Sequence, residues 1–418
     1  MVTHTVPVGS GPREIAITPD GRTAVVSNTN GDTVSIIDVL TGAVTNTVIV
    51  GLAPSGIAIS PDGSTAYIAV YGTFGSLDPC ISAVHWLDIA TATIVRTERP
   101  LDNPSGVIAS SDGLFIYVWS GALGQVVVKM RVSDGAVFTP TYFFGGSSIS
   151  AVALSPDGRS LAISPVLGSV GVDIVDTDTM NRLQALPLSI ESGQVTFSAD
   201  GSKLYVSDPA RDEIAVVNTT SYNVTRWSSG GDYPMGLISV DSNTVFVSNQ
   251  SNGTVASLRS GTTLATVAVL DPQIPVLTET QERVLVPSFS GNALAIITTS
   301  NMQRELVQVG TSPINVATAR GYAVVSNNGS NTVSIIRLAA LPASGDQVPT
   351  APLQQFGRIE SHVCSADIPD SVLFPGVGQD QRADGWSMSW AQWPNGGTGG
   401  FVCTRQPYYT NTGQWSVG

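Results

Sequence analysis

One phrase of strand, turn and strand recurs eight times between residues 5 and 338, and a repeat of this period restricts the fold more than any other feature of the chain. The clearest copies run Pro12–Gly21, Thr23–Asn28 and Thr33–Asp38, then Pro54–Gly63 and Thr65–Val70. A unit of about 40 residues with four short strands is a β-propeller blade. Innermost strands are expected to start near Glu14, Gly56, Gly106, Ser150, Gly193, Gly236, Pro275 and Ile314, which predicts eight blades.

The eighth unit stops after its third strand, near Leu338, and the chain opens with an orphan fourth strand, Thr5–Gly9. Pairing the two closes the ring and removes its open edges. Asp-Gly pairs at 20–21, 62–63, 112–113, 157–158 and 200–201 suit tight turns, because Gly accepts positive φ. Units six to eight carry Asp241-Ser-Asn, Thr280-Gln-Glu and Ala319-Arg-Gly instead.

Composition agrees with an all-β chain: 42 Gly, 25 Pro and only 12% charged residues. A net charge of -13 leaves no basic stripe to meet a phosphate backbone, which argues against nucleic acid as a partner. No apolar run reaches the roughly 18 residues of a membrane span. The chain starts directly on a strand, and its cysteines suggest an oxidising compartment, so the expectation is an extracellular or cell-envelope protein whose leader has been removed. Cys364 and Cys403 are the favoured bridge, Cys80 being left as a buried thiol.

With the Pro-Asp-Gly turns, the Ala-Val-Val-Ser-Asn strands at 24–28 and 323–327 and the Thr-Val-Ser-Ile-Ile strands at 33–37 and 332–336 in view, residues 5–338 resemble the YVTN-type β-propeller repeat family. The resemblance implies the propeller fold and leaves the activity open, since similar blades occur in surface-layer proteins, lactonase-like proteins and subunits of redox enzymes.

Groups able to do chemistry are sparse. The three histidines, His4, His85 and His362, fall in separate elements, and the inner strands are expected to carry only Glu14 and Glu279 as ionisable groups. Turns such as Ser27–Asp32, Ser248–Gly253 and Ser326–Asn331 offer amide and carboxylate oxygens suited to Ca²⁺ or sugar hydroxyls, although such side chains commonly bond their own backbone. Glu14, Asp32 and Asp232 are the candidate metal ligands if a site forms at the channel mouth. Asp208–Glu213 is dense in charge and reads as a solvated turn. Blade two carries an insertion over residues 71–82, whose Tyr71, Phe74 and Asp78 are candidates for recognition.

Residues 339–352 form a Pro/Ala-rich linker, and 353–418 read as a small Trp-rich β domain. Alternation places Trp386, Met388 and Trp390 on one face of a strand that a glycine-rich turn joins to a second strand. Trp386, Trp390 and Trp393 with Gln392 and Arg405 form a candidate platform for sugar rings; the same tryptophans suit a small core or a protein interface.

The expected fold is therefore all-β: an eight-bladed β-propeller closed by the N-terminal strand (1–338), plus a small disulfide-containing C-terminal domain. The favoured function is a secreted or envelope binding and scaffold protein whose partner is a glycan, a cell-wall polymer or another protein. Two alternatives are a lactonase- or lyase-like metal-dependent enzyme, for which Ca²⁺ is a possible cofactor, and a self-assembling surface-layer or filament subunit with homo-oligomeric contacts.

Overall fold

The computed structural model describes residues 1–72, 82–120, 127–139, 149–165, 171–188 and 193–338, together with the backbone of 380–381, 386–391 and 400–405. The chain divides into two units, one the propeller and the other containing a separate three-stranded sheet.

Eight four-stranded antiparallel sheets make the propeller. Blade one runs Pro12–Ile17, Thr23–Asn28, Thr33–Asp38 and Ala43–Ile49, from the innermost strand outward. Blade two follows from Pro54 to Glu98, blade three from Pro104 to Phe138 and blade four from Ile149 to Leu186. Blades five, six and seven span Val195–Ser228, Pro234–Ala268 and Val276–Gln308. Blade eight takes Pro313–Ala319, Tyr322–Asn327 and Thr332–Arg337 from one end of the chain and Val2–Pro7 from the other. The closing strand thus lies a few residues ahead of Thr5–Gly9. Pro7, opposite Thr332, ends it because proline has no N–H to donate to the ladder.

The three inner strands of a blade alternate between two hydrophobic seams rather than between core and water, while the outer strand is mostly exposed. In the second strand of blade one, Ala24 and Val26 pack toward blade eight and Val25 packs toward blade two. Eight buried clusters result, one for every pair of neighbouring blades. Strands buried on both faces read as continuous apolar runs, which is why Ala24–Val26 and Ala66–Val70 carry no polar residue. A slip of one residue would exchange the two seams, so packing fixes the register.

A hydroxyl and a carboxylate latch the turn between first and second strands. Thr18 Oγ1 donates to Asp20 Oδ1 at 2.6 Å, Asp20 Oδ1 also accepts from Arg22 N at 3.0 Å, and Thr18 Oγ1 accepts from Thr23 N at 3.0 Å. Ser60–Asp62, Ser110–Asp112, Ser155–Asp157 and Ser198–Asp200 repeat the latch at 2.5 to 2.6 Å. The hydroxyls of Thr18, Ser60 and Ser198 hold Asp20, Asp62 and Asp200 below the ordinary carboxylate range. Blades seven and eight do without the acid: Gln281 adopts φ 59°, and Arg320 and Gly321 form a two-residue turn at φ 48° and 78°.

Two elements depart from expectation. The inner strand of blade seven shrinks to Val276–Leu277, because Pro275 removes a donor where its siblings continue the ladder; Pro272 stands where other inner strands also begin with proline. Glu279 lies in the turn beyond that strand, at the position Pro19 and Pro61 hold in blades one and two, where its Oε2 accepts from Arg320 N at 3.0 Å. The inner strand of blade one also carries Arg13 beside Glu14.

In the second unit, Trp386–Ala391 pairs antiparallel with Gly400–Arg405, and Asp380–Gln381 adds a short third strand. The glycine-rich turn and Cys364 lie outside the described residues, while Cys403 falls in a strand opposite Met388.

Backbone conformation offers a test of opposite signs. Gly158 sits at φ 72° with nothing within 4 Å of a Cβ built on it, so Gly158→Ala meets no clash and incurs only the left-handed penalty, about 1 kcal/mol. Ala92 occupies φ 54°, where blade one has Gly42 at φ 69°. Ala92→Gly is expected to stabilise by about 0.5 kcal/mol, relief of that penalty being partly offset by greater freedom in the unfolded chain. Urea unfolding of both variants should give changes of opposite sign.

Candidate functional site

Turns between second and third strands share one face of the propeller with the connectors between blades. The acidic and amide side chains there reach across to the next blade's connector. Asp32, at φ 56°, accepts from Ala53 N at 3.0 Å through Oδ1. Asp212 accepts from Tyr233 N at 2.7 Å, Asn292 from Ser312 N at 2.9 Å and Asn331 from Gly11 N at 2.8 Å. All four acceptors are left-handed, and so are the residues whose N–H they receive. The expectation that such side chains bond their own turn is corrected here: the bond spans to the connector, and the donor residue in each case precedes a proline.

The three candidate metal ligands have separate duties. Glu14 Oε1 accepts from Asn315 Nδ2 at 2.9 Å, across the seam between blades one and eight. Asp32 staples Ala53, and Asp232 lies exposed in the connector from blade five to blade six. Among the described residues no group of three or more His, Cys, Asp or Glu side chains is placed to hold a metal ion.

Inner strands approach each other too closely for side chains at several points. A Cβ on Gly56 would come within 2.7 Å of Gly106 Cα, and one on Gly236 within 2.7 Å of Pro275 Cδ. Hydroxyls tie these strands together: Ser55 Oγ donates to Pro104 O at 3.2 Å and Ser150 Oγ to Gly193 O at 3.1 Å.

The densest chemistry lies where a solvated turn was expected. Asp208 is fully buried (0% exposed), and its Oδ2 meets both Arg211 Nη1 and Arg226 Nη1 at 3.0 Å. Arg226 also pairs with Glu213 at 3.1 Å and donates to Leu188 O of blade four at 3.1 Å. Asp208 Oδ1 is buried with no hydrogen-bond partner. Asp208 ends the second strand of blade five, where blades one and eight place Asn28 and Asn327. Those amides donate to Thr33 and Ser35, and to Thr332 and Ser334, in their own third strands. Blade five has Glu213 and Ala215 at these third-strand positions, so its carboxylate turns to the arginines instead. A buried anion held by two cations is chemically poised yet geometrically fixed. The available signal in the sequence was the exchange of Asn for Asp in a repeated motif, with Arg226 arriving in the fourth strand.

At the insertion in blade two, Tyr71 anchors the base. Its carbonyl accepts from Ser82 Oγ and Asn103 Nδ2, each at 2.9 Å, and burial raises its phenol above the ordinary value. Phe74 and Asp78 lie outside the described residues, as do Gln392 and Trp393. Trp386, Trp390 and Arg405 lie in the paired strands of the second unit.

His85, in the third strand of blade two, has Nε2 2.8 Å from Val50 O and Nδ1 2.8 Å from Thr97 Oγ1. A carbonyl only accepts, so Nε2 carries the proton and Nδ1 accepts from the threonine. Burial lowers its pKa below the ordinary 6.5. The unfolded chain therefore binds the extra proton first, and His85 contributes stability that is present above pH 6.5 and lost as the pH falls through the folded pKa. Unfolding free energies measured from pH 7 down to about pH 5 should decline in the native protein and flatten in His85→Gln. In the Asp208 cluster, Arg226→Met is expected to cost about 3 kcal/mol and Arg211→Met less than about 1 kcal/mol, because Arg226 serves three acceptors and bridges to blade four, while the Arg211 side chain is 47% exposed. Equal losses in urea unfolding would contradict this ranking.

No family model matches the chain, and no curated protein matches it. Solved structures do. A hydrazine synthase chain from Kuenenia stuttgartiensis is 20% identical, with 81% of this chain and 98% of that one covered at a TM-score of 0.56. A Cps50 (Swd1) β-propeller domain from Myceliophteria thermophila is 12% identical, covering 81% and 99%, also at 0.56. The dihydro-heme d1 dehydrogenase NirN in complex with DHE is 16% identical over 78% of this chain and 69% of that chain, at 0.59. At these identities the likeness is one of fold: the chain is an all-β, eight-bladed propeller.

Proposed function

We propose that this chain is a YVTN-type propeller that works as a binding protein outside the cytoplasm, its frame presenting recognition elements to a glycan, a wall polymer or a protein. The observation that carries this reading is the anchorage of the blade-two insertion: Tyr71 is tied to Ser82 and to Asn103 of the next connector, so the ends of the insertion are held on a stiff rim. Preorganised supports of this kind reduce the ordering cost of binding. The acids and amides of the same face support the reading too, since Asp32, Asp212, Asn292 and Asn331 brace the connectors. In this reading the Trp-rich second unit supplies an anchor, with Trp386 and Trp390 as its contact residues and a Cys364–Cys403 bridge as its staple.

The test is retention of the full chain on a panel of insoluble envelope polysaccharides. Trp386→Ala/Trp390→Ala should lose retention by at least about tenfold, with the thermal unfolding of the propeller unchanged. A variant with residues 74–80 replaced by a Gly-Ser linker should keep the anchor and lose any protein partner captured through blade two. Native protein that binds no polysaccharide would remove the glycan part of the proposal.

A further inference from the structure

Four blades end their second strand on an amide or a carboxylate: Asn28 in blade one, Asp208 in blade five, Asn249 in blade six and Asn327 in blade eight. All four residues are 0% exposed. In each of them one oxygen, Oδ1, is buried and receives no hydrogen bond from the protein. Burying an acceptor without a donor is costly, and the same atom left over four times at one repeat position is a property of the position.

The amides do not escape this by turning over. Asn28 Nδ2 donates to Thr33 Oγ1 at 3.0 Å and to Ser35 Oγ at 2.9 Å, and Asn327 Nδ2 donates to Thr332 Oγ1 at 3.1 Å and to Ser334 Oγ at 3.0 Å. Exchanging oxygen and nitrogen would give the oxygen two hydroxyl donors and leave the nitrogen over instead. Asn249 Nδ2 donates to the Ser229 carbonyl at 3.2 Å, and a carbonyl only accepts, so its orientation is fixed.

Each amide also lies against a glycine of the connector leading into its blade. A Cβ on Gly9 would come within 2.6 Å of Asn28 Cγ, one on Gly231 within 2.6 Å of Asn249 Nδ2, and one on Gly310 within 2.7 Å of Asn327 Nδ2. In blades one and eight the glycine brings a second leftover group, since the N–H of Gly9 and that of Gly310 have no acceptor among the described residues. Backbone geometry puts each of these nitrogens within about 5 Å of the amide, a span that a single water bridges.

We infer that Oδ1 of Asn28, Asp208, Asn249 and Asn327 each binds an internal water, which in blades one and eight also accepts from the connector glycine. The water donates to Oδ1 and takes the N–H of Gly9 or Gly310, so the two leftover groups are satisfied through it. Asparagine suits the position in these two blades because its nitrogen serves the hydroxyls of the third strand while its oxygen serves the water. Gly9 follows the closing strand and Gly310 leads into blade eight, so both waters brace the blades that meet where the ring closes.

A high-resolution crystal structure of the full chain should show an ordered water about 2.7–2.8 Å from each of the four Oδ1 atoms, with those of blades one and eight also within hydrogen-bond distance of Gly9 N and Gly310 N. In Asn28→Leu, a residue of similar volume with no polar side-chain atom, the water of blade one should be lost and that of blade eight kept. Asn249→Leu makes the same comparison in blade six if the first variant does not fold. Oδ1 atoms with no water beside them, a protein group found donating to them, or a water that persists beside Gly9 in Asn28→Leu would each overturn the assignment.

Discussion

Everything else in the propeller depends on one pairing, the antiparallel ladder between Val2–Pro7 and Thr332–Arg337. Without it blade eight would lack its outer strand, and the seam between blades eight and one would lose Val6. The bond is reinforced where the chain leaves the ladder, with Val8 N on Asn331 O and Gly11 N on Asn331 Oδ1. It joins residues more than 320 apart in sequence. Loop-closure entropy grows only with the logarithm of length, so the thermodynamic cost over a local hairpin is a few kcal/mol, about 0.6 for each doubling. Its consequence is kinetic: the seven blades formed from contiguous sequence assemble from local hairpins, and the closing strand is the contact that must wait for both chain ends.

The chain has 32 Asp and Glu residues, and many of those among the described residues have a structural duty. Its carboxylates act on backbone. Asp38, Asp88 and Asp176 each accept from the N–H and hydroxyl of a threonine three residues on, and those bonds hold all three carboxyls below the ordinary range. Asp20, Asp62 and Asp200 latch the turns between first and second strands in a similar manner. A carboxylate fixed by short bonds to its own turn stays ionised and keeps the turn in shape, which suits a frame better than proton transfer.

How much of this was legible in the sequence depended on whether the signal was periodic. The eight inner strands, the closing strand and the Asp-Gly turns could be read because each repeats, and the apolar runs buried on both faces gave the blades away. The errors came from positions whose role is set by neighbours distant in sequence. Glu279 was read as facing the axis because blade seven lacks the Asp-Gly pair that marks this turn elsewhere; the bond from Thr278 N to Arg283 O puts Glu279 where blade one has Pro19. Asp208 was read as solvated because its partner Arg226 stands a whole strand away and is itself held by Leu188 of blade four. Asp32 was read as a possible ligand, and its bond to Ala53 could not be seen before the connector had been placed beside it.

Those errors share a physical logic. In a repeat protein the hydrogen bonds that every blade needs are supplied by the consensus, so a single blade can change a residue without endangering the ring. Blade one and blade eight keep Asn28 and Asn327 bonded to hydroxyls in their third strands. Blade five has Ala215 in place of one hydroxyl, and its Glu213 carboxylate is engaged by Arg226; a carboxylate at 208 needs cations, and Arg211 and Arg226 provide them. Five side chains of blade five, Asp208, Arg211, Glu213, Ala215 and Arg226, thus differ together from the pattern of blades one and eight. The outer strands of blades one and six lack the charges carried by those of blades two, four, five and seven. Departures from the repeat are thus where this fold's own requirements fall silent, and the side chains found there need a reason from beyond the blade.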